Sequence, residues 1–100
     1  MDISVQELRE KLNRGDDFVL IDVRESYEHE EFNVGGRLIP IGSIMGAIPD
    51  LEDHKEAEIV LYCRSGNRSA MAEQLLQMAG FTQTRNLTGG MNAWVETFGK

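Results

Sequence analysis

Two uninterrupted apolar runs, Phe18-Val19-Leu20-Ile21 and Ile59-Val60-Leu61-Tyr62, constrain this chain more than any other feature. A strand with one wet face alternates apolar and polar side chains, so a run with no polar member implies burial on both faces. β-Branched members favour extended backbone in each run. Such strands need helices on both sides, and the intervening segments carry helical spacing. Ser4 with Glu7 forms a capping box, and Val5, Leu8 and Leu12 recur until Gly15 closes the segment, which predicts a helix over about 5–14. Glu25 to Phe32 reads as a short charged helix, Asn33 to Gly36 as a turn, and Leu38-Ile39 as a brief strand stopped by Pro40. Ser43 is expected to cap a weak helix reaching Ile48, with a polar surface connection or helical turn from Pro49 to Glu58. Met71, Leu75 and Met78, flanked by Ala72, Leu76 and Ala79, make an apolar stripe that Gly80 terminates. Thr84 to Leu87 is a further strand, Gly89-Gly90 a turn, and Met91 to Phe98 a last helix whose Trp94 and Phe98 read as core.

Strands alternating with helices predict an α/β fold, a central parallel sheet of four to five strands with helices on both faces and right-handed crossovers. Ligands of such sheets bind beyond the carboxyl ends of the strands. Asp22 and Cys63 each follow an apolar run, which puts both on that edge.

The chain has 100 residues and no linker, repeat or low-complexity tract, which predicts a single domain over 1–100. A domain of this size buries roughly two thirds of its unfolded surface and needs no metal or disulfide to fold. The formal net charge of −7 argues against nucleic acid as a partner, since phosphate binding wants a basic face. One cysteine excludes an internal disulfide, and with only His29 and His54 beside it there is no metal-ligand spacing, so neither metal nor cofactor is expected. The first residues carry no basic start or apolar stretch, and no run is long enough to span a membrane, so a cytoplasmic protein is expected, monomeric by default.

Cys63 opens the segment Cys63-Arg64-Ser65-Gly66-Asn67-Arg68-Ser69, which leads into the fourth helical pattern. A strand that stops at a nucleophile, then a short turn and a helix N-terminus, aims backbone N–H groups and the positive end of the helix dipole at one point. Arg64 and Arg68 add positive charge, suited to a small anion. A thiol there ionises readily, and the thiolate is the nucleophilic form. Gly66 permits backbone angles that let successive N–H groups curl inward. Ser69 is expected to cap the following helix. Asp22 either caps the next helix or pairs with a nearby arginine, and His29 and His54, in charged segments, are given no catalytic role.

Three stretches in order resemble the rhodanese family of thiosulfate or persulfide sulfurtransferases: Ile21-Asp22-Val23-Arg24-Glu25, Val60 to Ser69, and Leu87-Thr88-Gly89-Gly90-Met91-Asn92-Ala93-Trp94. The resemblance implies a compact three-layer α/β domain in which Cys63 accepts a sulfane sulfur, becomes a persulfide, and passes it to a thiol or cyanide. It implies that residues Arg64, Ser65, Gly66, Asn67 and Arg68 bind a small anionic sulfur donor, and that Asp22, Arg24 and Ser69 support the loop. With no second cysteine, the persulfide requires an external acceptor, which leaves room for a sulfur-carrier role served by a partner protein. Thiol phosphatases of similar fold have five residues between cysteine and arginine; the four between Cys63 and Arg68 favour sulfur over phosphorus. The family's Gly-His segment corresponds here to Glu31 to Pro40, which has no histidine and carries Arg37.

Overall fold

The computed structural model describes residues 2–100. Its sheet has five parallel strands: β1 Asp2–Ile3, β2 Val19–Asp22, β3 Arg37–Leu38, β4 Glu58–Tyr62 and β5 Gln83–Leu87, in spatial order β1-β5-β4-β2-β3. Helices α1 Val5–Arg14, α2 Ser26–Glu31, α3 Ile44–Ala47, α4 Asn67–Met78 and α5 Gly90–Phe98 fill the connections, with 3-10 turns Ile41–Ser43 and Ile48–His54 on either side of α3.

The unbroken apolar runs do face two cores. Along β4, Ile59, Leu61 and Cys63 point to one side, against Ile21, Ile44, Leu51, Ala72 and Leu76. Val60 and Tyr62 point to the other, against Leu8, Leu20, Leu87, Met91 and Trp94. Each fully buried Leu or Ile here contributes roughly 1.5–3 kcal/mol. Trp94 is buried and meets the Phe98 ring edge-on at 4.9 Å, the core role expected of both.

Helix α1 has the expected bounds, and Gly15 closes it at φ +70°; of the capping box only one half forms, the Ser4 hydroxyl accepting the Glu7 N–H at 3.1 Å, while the Glu7 carboxylate accepts from Arg85. Four readings change. Strand β1 was not foreseen; two residues make no pattern, and they are extended because Asp2 and Ile3 align with Asn86 and Leu87 of β5. Strand β3 lies one residue earlier than expected, at Arg37–Leu38. Ser43 caps nothing with its side chain; it ends a 3-10 turn that runs into α3. The α4 stripe is out of phase at its ends. Met71 and Met78 are 59% and 84% exposed, and the buried face is Ser69, Ala72, Glu73 and Leu76. That face contains two polar residues because β5 supplies partners for them: Asn86 for Ser69, and the Thr84 hydroxyl, which donates to Glu73 Oε2 at 3.1 Å.

Asp22 pairs in register with Tyr62, so β2 and β4 end level and deliver Asp22 and Cys63 to the same edge. Among the described residues, no helix is long and apolar enough to cross a membrane.

Candidate active site

Cys63 leaves β4 fully buried, and its carbonyl and sulfur are held from opposite sides. On one side, Gly66 stands before α4 at φ +104°, a backbone conformation L side chains rarely adopt, so glycine serves here for conformation rather than for space. The turn it makes brings the Gly66 N–H to 3.1 Å and the Ser69 N–H to 3.4 Å from Cys63 Sγ. On the other side, the N-terminus of α5 donates from Met91 N to the Cys63 carbonyl and from Asn92 N to the Arg64 carbonyl, both at 2.9 Å. Gly90 permits that approach, since a β-carbon on it would overlap the Cys63 and Arg64 carbonyls.

Ser69 does not cap α4; Gly66 occupies the cap position, and Ser69 lies one turn inside. Its hydroxyl reaches Cys63 Sγ at 3.3 Å and also the Asn86 Oδ1. Asn86 is oriented by its own Nδ2, which donates to the Gly66 carbonyl at 3.1 Å. With one proton, the hydroxyl serves one acceptor at a time. Donation to Asn86 leaves its oxygen able to accept from an S–H; donation to sulfur stabilises the thiolate. Burial pushes the thiol up, but hydrogen bonds from the Ser69 hydroxyl and from the N–H groups of Ser69, Gly66 and Ser65 outweigh it and hold Cys63 below its ordinary value.

The two arginines do not form the positive pair expected from their spacing. Arg68 donates from Nη1 and Nη2 to the two carboxylate oxygens of Glu28, at 2.8 and 3.0 Å. That pair holds the Glu28 carboxyl down to about 2, the Arg68 hydrogen bond being the main cause. Arg64 is exposed, makes no ion pair with the described residues, and lines a cleft of about 240 Å³ with Arg24, Glu28, Phe32, Met91 and Asn92 among others. Ser65 and Asn67 are exposed at the tip of the loop.

Asp22 and Arg24 are both buried and paired, Nε to Oδ1 at 2.9 Å and Nη2 to Oδ2 at 2.7 Å. Neither makes a hydrogen bond to residues 63–69 among those described. Their reach is through α2. Arg24 Nη2 donates to the Phe32 carbonyl at 2.7 Å, and Asp22 Oδ2 lies 2.8 Å from His29 Nδ1, which leaves His29 half-buried. Helix α2 in turn presents Glu28 to Arg68. Burial pushes Asp22 up, but hydrogen bonds from Arg24 and His29 outweigh it and hold the carboxyl below its ordinary value. Arg37 is exposed on the edge strand and lines a separate groove with Phe18 and Leu20.

Four residues that sequence reasoning gave no role belong to this site: Glu28, His29, Asn86 and Gly90. Glu28 sits three residues after Glu25, whose N–H donates to its Oε1 at 3.0 Å, a capping box in which glutamate replaces the usual Ser or Thr and so escapes the pattern. Gly90 was visible only as half of a Gly-Gly turn.

Comparison with known proteins places these features in a lineage. A model of the rhodanese-like domain matches residues 4–97. The chain is 39% identical over 97 residues to the putative sulfurtransferase YtwF of Bacillus subtilis, covering 93% of this chain and 88% of that protein. It is 31% identical over 94 residues to the putative sulfur carrier protein YrkF of the same organism, covering 93% of this chain and 50% of YrkF. Several other curated relatives it matches are longer still, and the chain spans about a quarter of the Mycobacterium tuberculosis adenylyltransferase/sulfurtransferase MoeZ. Among solved structures, the human single-domain sulfurtransferase TSTD1 superposes with a TM-score of 0.81 at 29% identity, covering 95% of each chain.

Proposed function

The chain belongs to the rhodanese-like domain family, and from that membership we propose that it is a sulfurtransferase working through a Cys63 persulfide. The observation that carries this reading is the convergence of N–H groups and the Ser69 hydroxyl on a buried Cys63 sulfur. Such a cradle favours a thiolate before transfer and an anionic outer sulfur after it.

The Cys63 thiolate attacks the outer sulfur of the donor. With thiosulfate, the S–S bond breaks and sulfite leaves with the bonding pair, so the three negative charges of the reactants reappear on the persulfide and sulfite. The acceptor, cyanide or a thiolate, then takes the outer sulfur and returns Cys63 to its thiolate. Because Cys63 is the only cysteine of the chain, that acceptor comes from outside it, as a small molecule or as a partner protein in a carrier role. The similarity to a protein described as a putative sulfur carrier supports keeping the second version beside the first. A phosphatase is disfavoured, since Arg68, the side chain that would clasp a phosphoryl group, is held by Glu28.

Intact-protein mass tests the proposal. Incubation with thiosulfate or an alkyl persulfide is expected to add one sulfur atom, removable by a reducing thiol and absent in Cys63→Ser. Loading by the persulfide alone would favour the carrier version, and no loading by either would reject sulfur transfer.

A further inference from the structure

The loop that holds Cys63 carries two arginines in unlike states. Arg68 is spent on Glu28 through two parallel N–H···O bonds, an arrangement that is directional and charge-assisted. Glu28 is itself fixed, since its Oε1 accepts the Glu25 N–H at the start of α2, and α2 is anchored by the Arg24 bond to the Phe32 carbonyl. Arg68 also feels the charge of Cys63, so what neutralises Arg68 is felt at the sulfur. Counting charges around the site, Glu28 offsets Arg68, Asp22 offsets Arg24, and at the rim of the cleft Glu31 offsets Lys100, which leaves Arg64 against the Cys63 thiolate. An incoming dianion meets a site with no net positive charge. A protonated alkyl persulfide, RS–SH, brings no charge and departs as a singly charged thiolate.

We propose that Glu28 sets the donor preference of Cys63: by occupying Arg68 it disfavours dianionic donors such as thiosulfate and makes alkyl persulfides the preferred class. This rests on the sulfur-transfer reading above. In the preferred step, the Cys63 thiolate bonds to the outer sulfur of RS–SH, the donor S–S bond breaks, and RS⁻ leaves with the bonding pair while the proton stays on the transferred sulfur. Cys63 is oxidised to the persulfide level as the donor is reduced to a thiol, and no other oxidant takes part. Glu28 acts through Arg68 and is a positioning residue, not one that touches the reacting atoms.

The test compares loading of Cys63 by thiosulfate and by the persulfide of 2-mercaptoethanol, whose protonated form is uncharged, in the wild type, Glu28→Gln and Glu28→Asp. Glutamine keeps an oxygen for the Glu25 N–H and removes the charge; aspartate keeps the charge. The thiosulfate-to-persulfide ratio of loading efficiencies is expected to rise about tenfold or more in Glu28→Gln, mainly through a lower KM for thiosulfate, and to stay near the wild-type ratio in Glu28→Asp. A Glu28→Gln ratio equal to that of a wild type that still loads from persulfide overturns the role of Glu28 and leaves sulfur transfer standing. Failure of the wild type to load from either donor overturns sulfur transfer itself. The wild type alone gives a second measurement that needs no variant to fold: millimolar sulfate at low ionic strength is expected not to slow alkylation of Cys63 by iodoacetamide, and protection by sulfate overturns the inference.

Discussion

At Cys63 the hydrogen bonds, more than the neighbouring arginines, hold the thiol below its ordinary value. The consequence is a ranking of two substitutions. Ser69→Ala removes the hydroxyl at 3.3 Å from sulfur and is expected to raise the apparent thiol pKa, since a charge-assisted hydrogen bond to the thiolate is lost. Arg68→Ala is expected to raise it by less, because the charge removed is already offset by Glu28. The pH dependence of iodoacetamide alkylation measures both, and the opposite ranking would return the arginine to the leading role. Gly90 permits a separate prediction. Its missing β-carbon lets α5 approach the Cys63 and Arg64 carbonyls, and its φ of +55° is unfavourable for alanine. Gly90→Ala is expected to cost about 2 kcal/mol or more in denaturant unfolding and to slow alkylation as the carbonyl anchor shifts.

Helix α2 is the element through which distant residues act on the loop. It is six residues long with no buried side chain, too short to persist by itself, and is held by Arg24 at one end and by Arg68 through Glu28. The Glu28 carboxyl lies at about 2 in the fold against an ordinary 4.5. As pH falls below the ordinary value, protons bind the unfolded chain first. Stability from this pair is therefore whole above about pH 4.5 and is lost on the way to about pH 2. Thermal unfolding is expected to show Glu28→Gln well below wild type at about pH 6 and close to it at about pH 2.5; a gap independent of pH would mean that the pair contributes shape and not charge. This element also marks the limit of what the sequence discloses. Strands β2 and β4, helices α1 and α5 and the Cys63 turn were legible because each rests on local pattern: an apolar run, a capping box, a strand that halts at a nucleophile. Strand β1 and the contacts of Glu28 with Arg68 and of Asn86 with Ser69 were not, since each joins residues far apart in the chain and owes its form to a partner. The α4 stripe misled for the same reason. Ser69 and Glu73 turn inward only because β5 offers them hydrogen bonds, and two methionines are left in solvent in exchange.

Over the whole molecule, charge decides how a donor arrives. Seventeen acidic and ten basic side chains leave −7, and at the site itself Arg24 and Arg68 are each offset by a carboxylate. Screening reaches about 30 Å at 10 mM ionic strength and about 8 Å at 0.15 M, so at low salt a dianion is repelled by the entire surface before it meets Arg64. Raising the salt removes that long-range repulsion sooner than it weakens a contact made at the mouth of a partly buried cleft. Loading of Cys63 by thiosulfate is thus expected to speed up about two- to threefold between these salt concentrations, while alkylation by uncharged iodoacetamide, which shares the thiolate but not the charge, stays level. A loading rate that falls with salt would require a local positive field strong enough to outweigh the molecule's net charge. Such a field needs Arg68 released from Glu28, and the salt slope therefore reports, without any substitution, whether that pair is closed when the donor arrives.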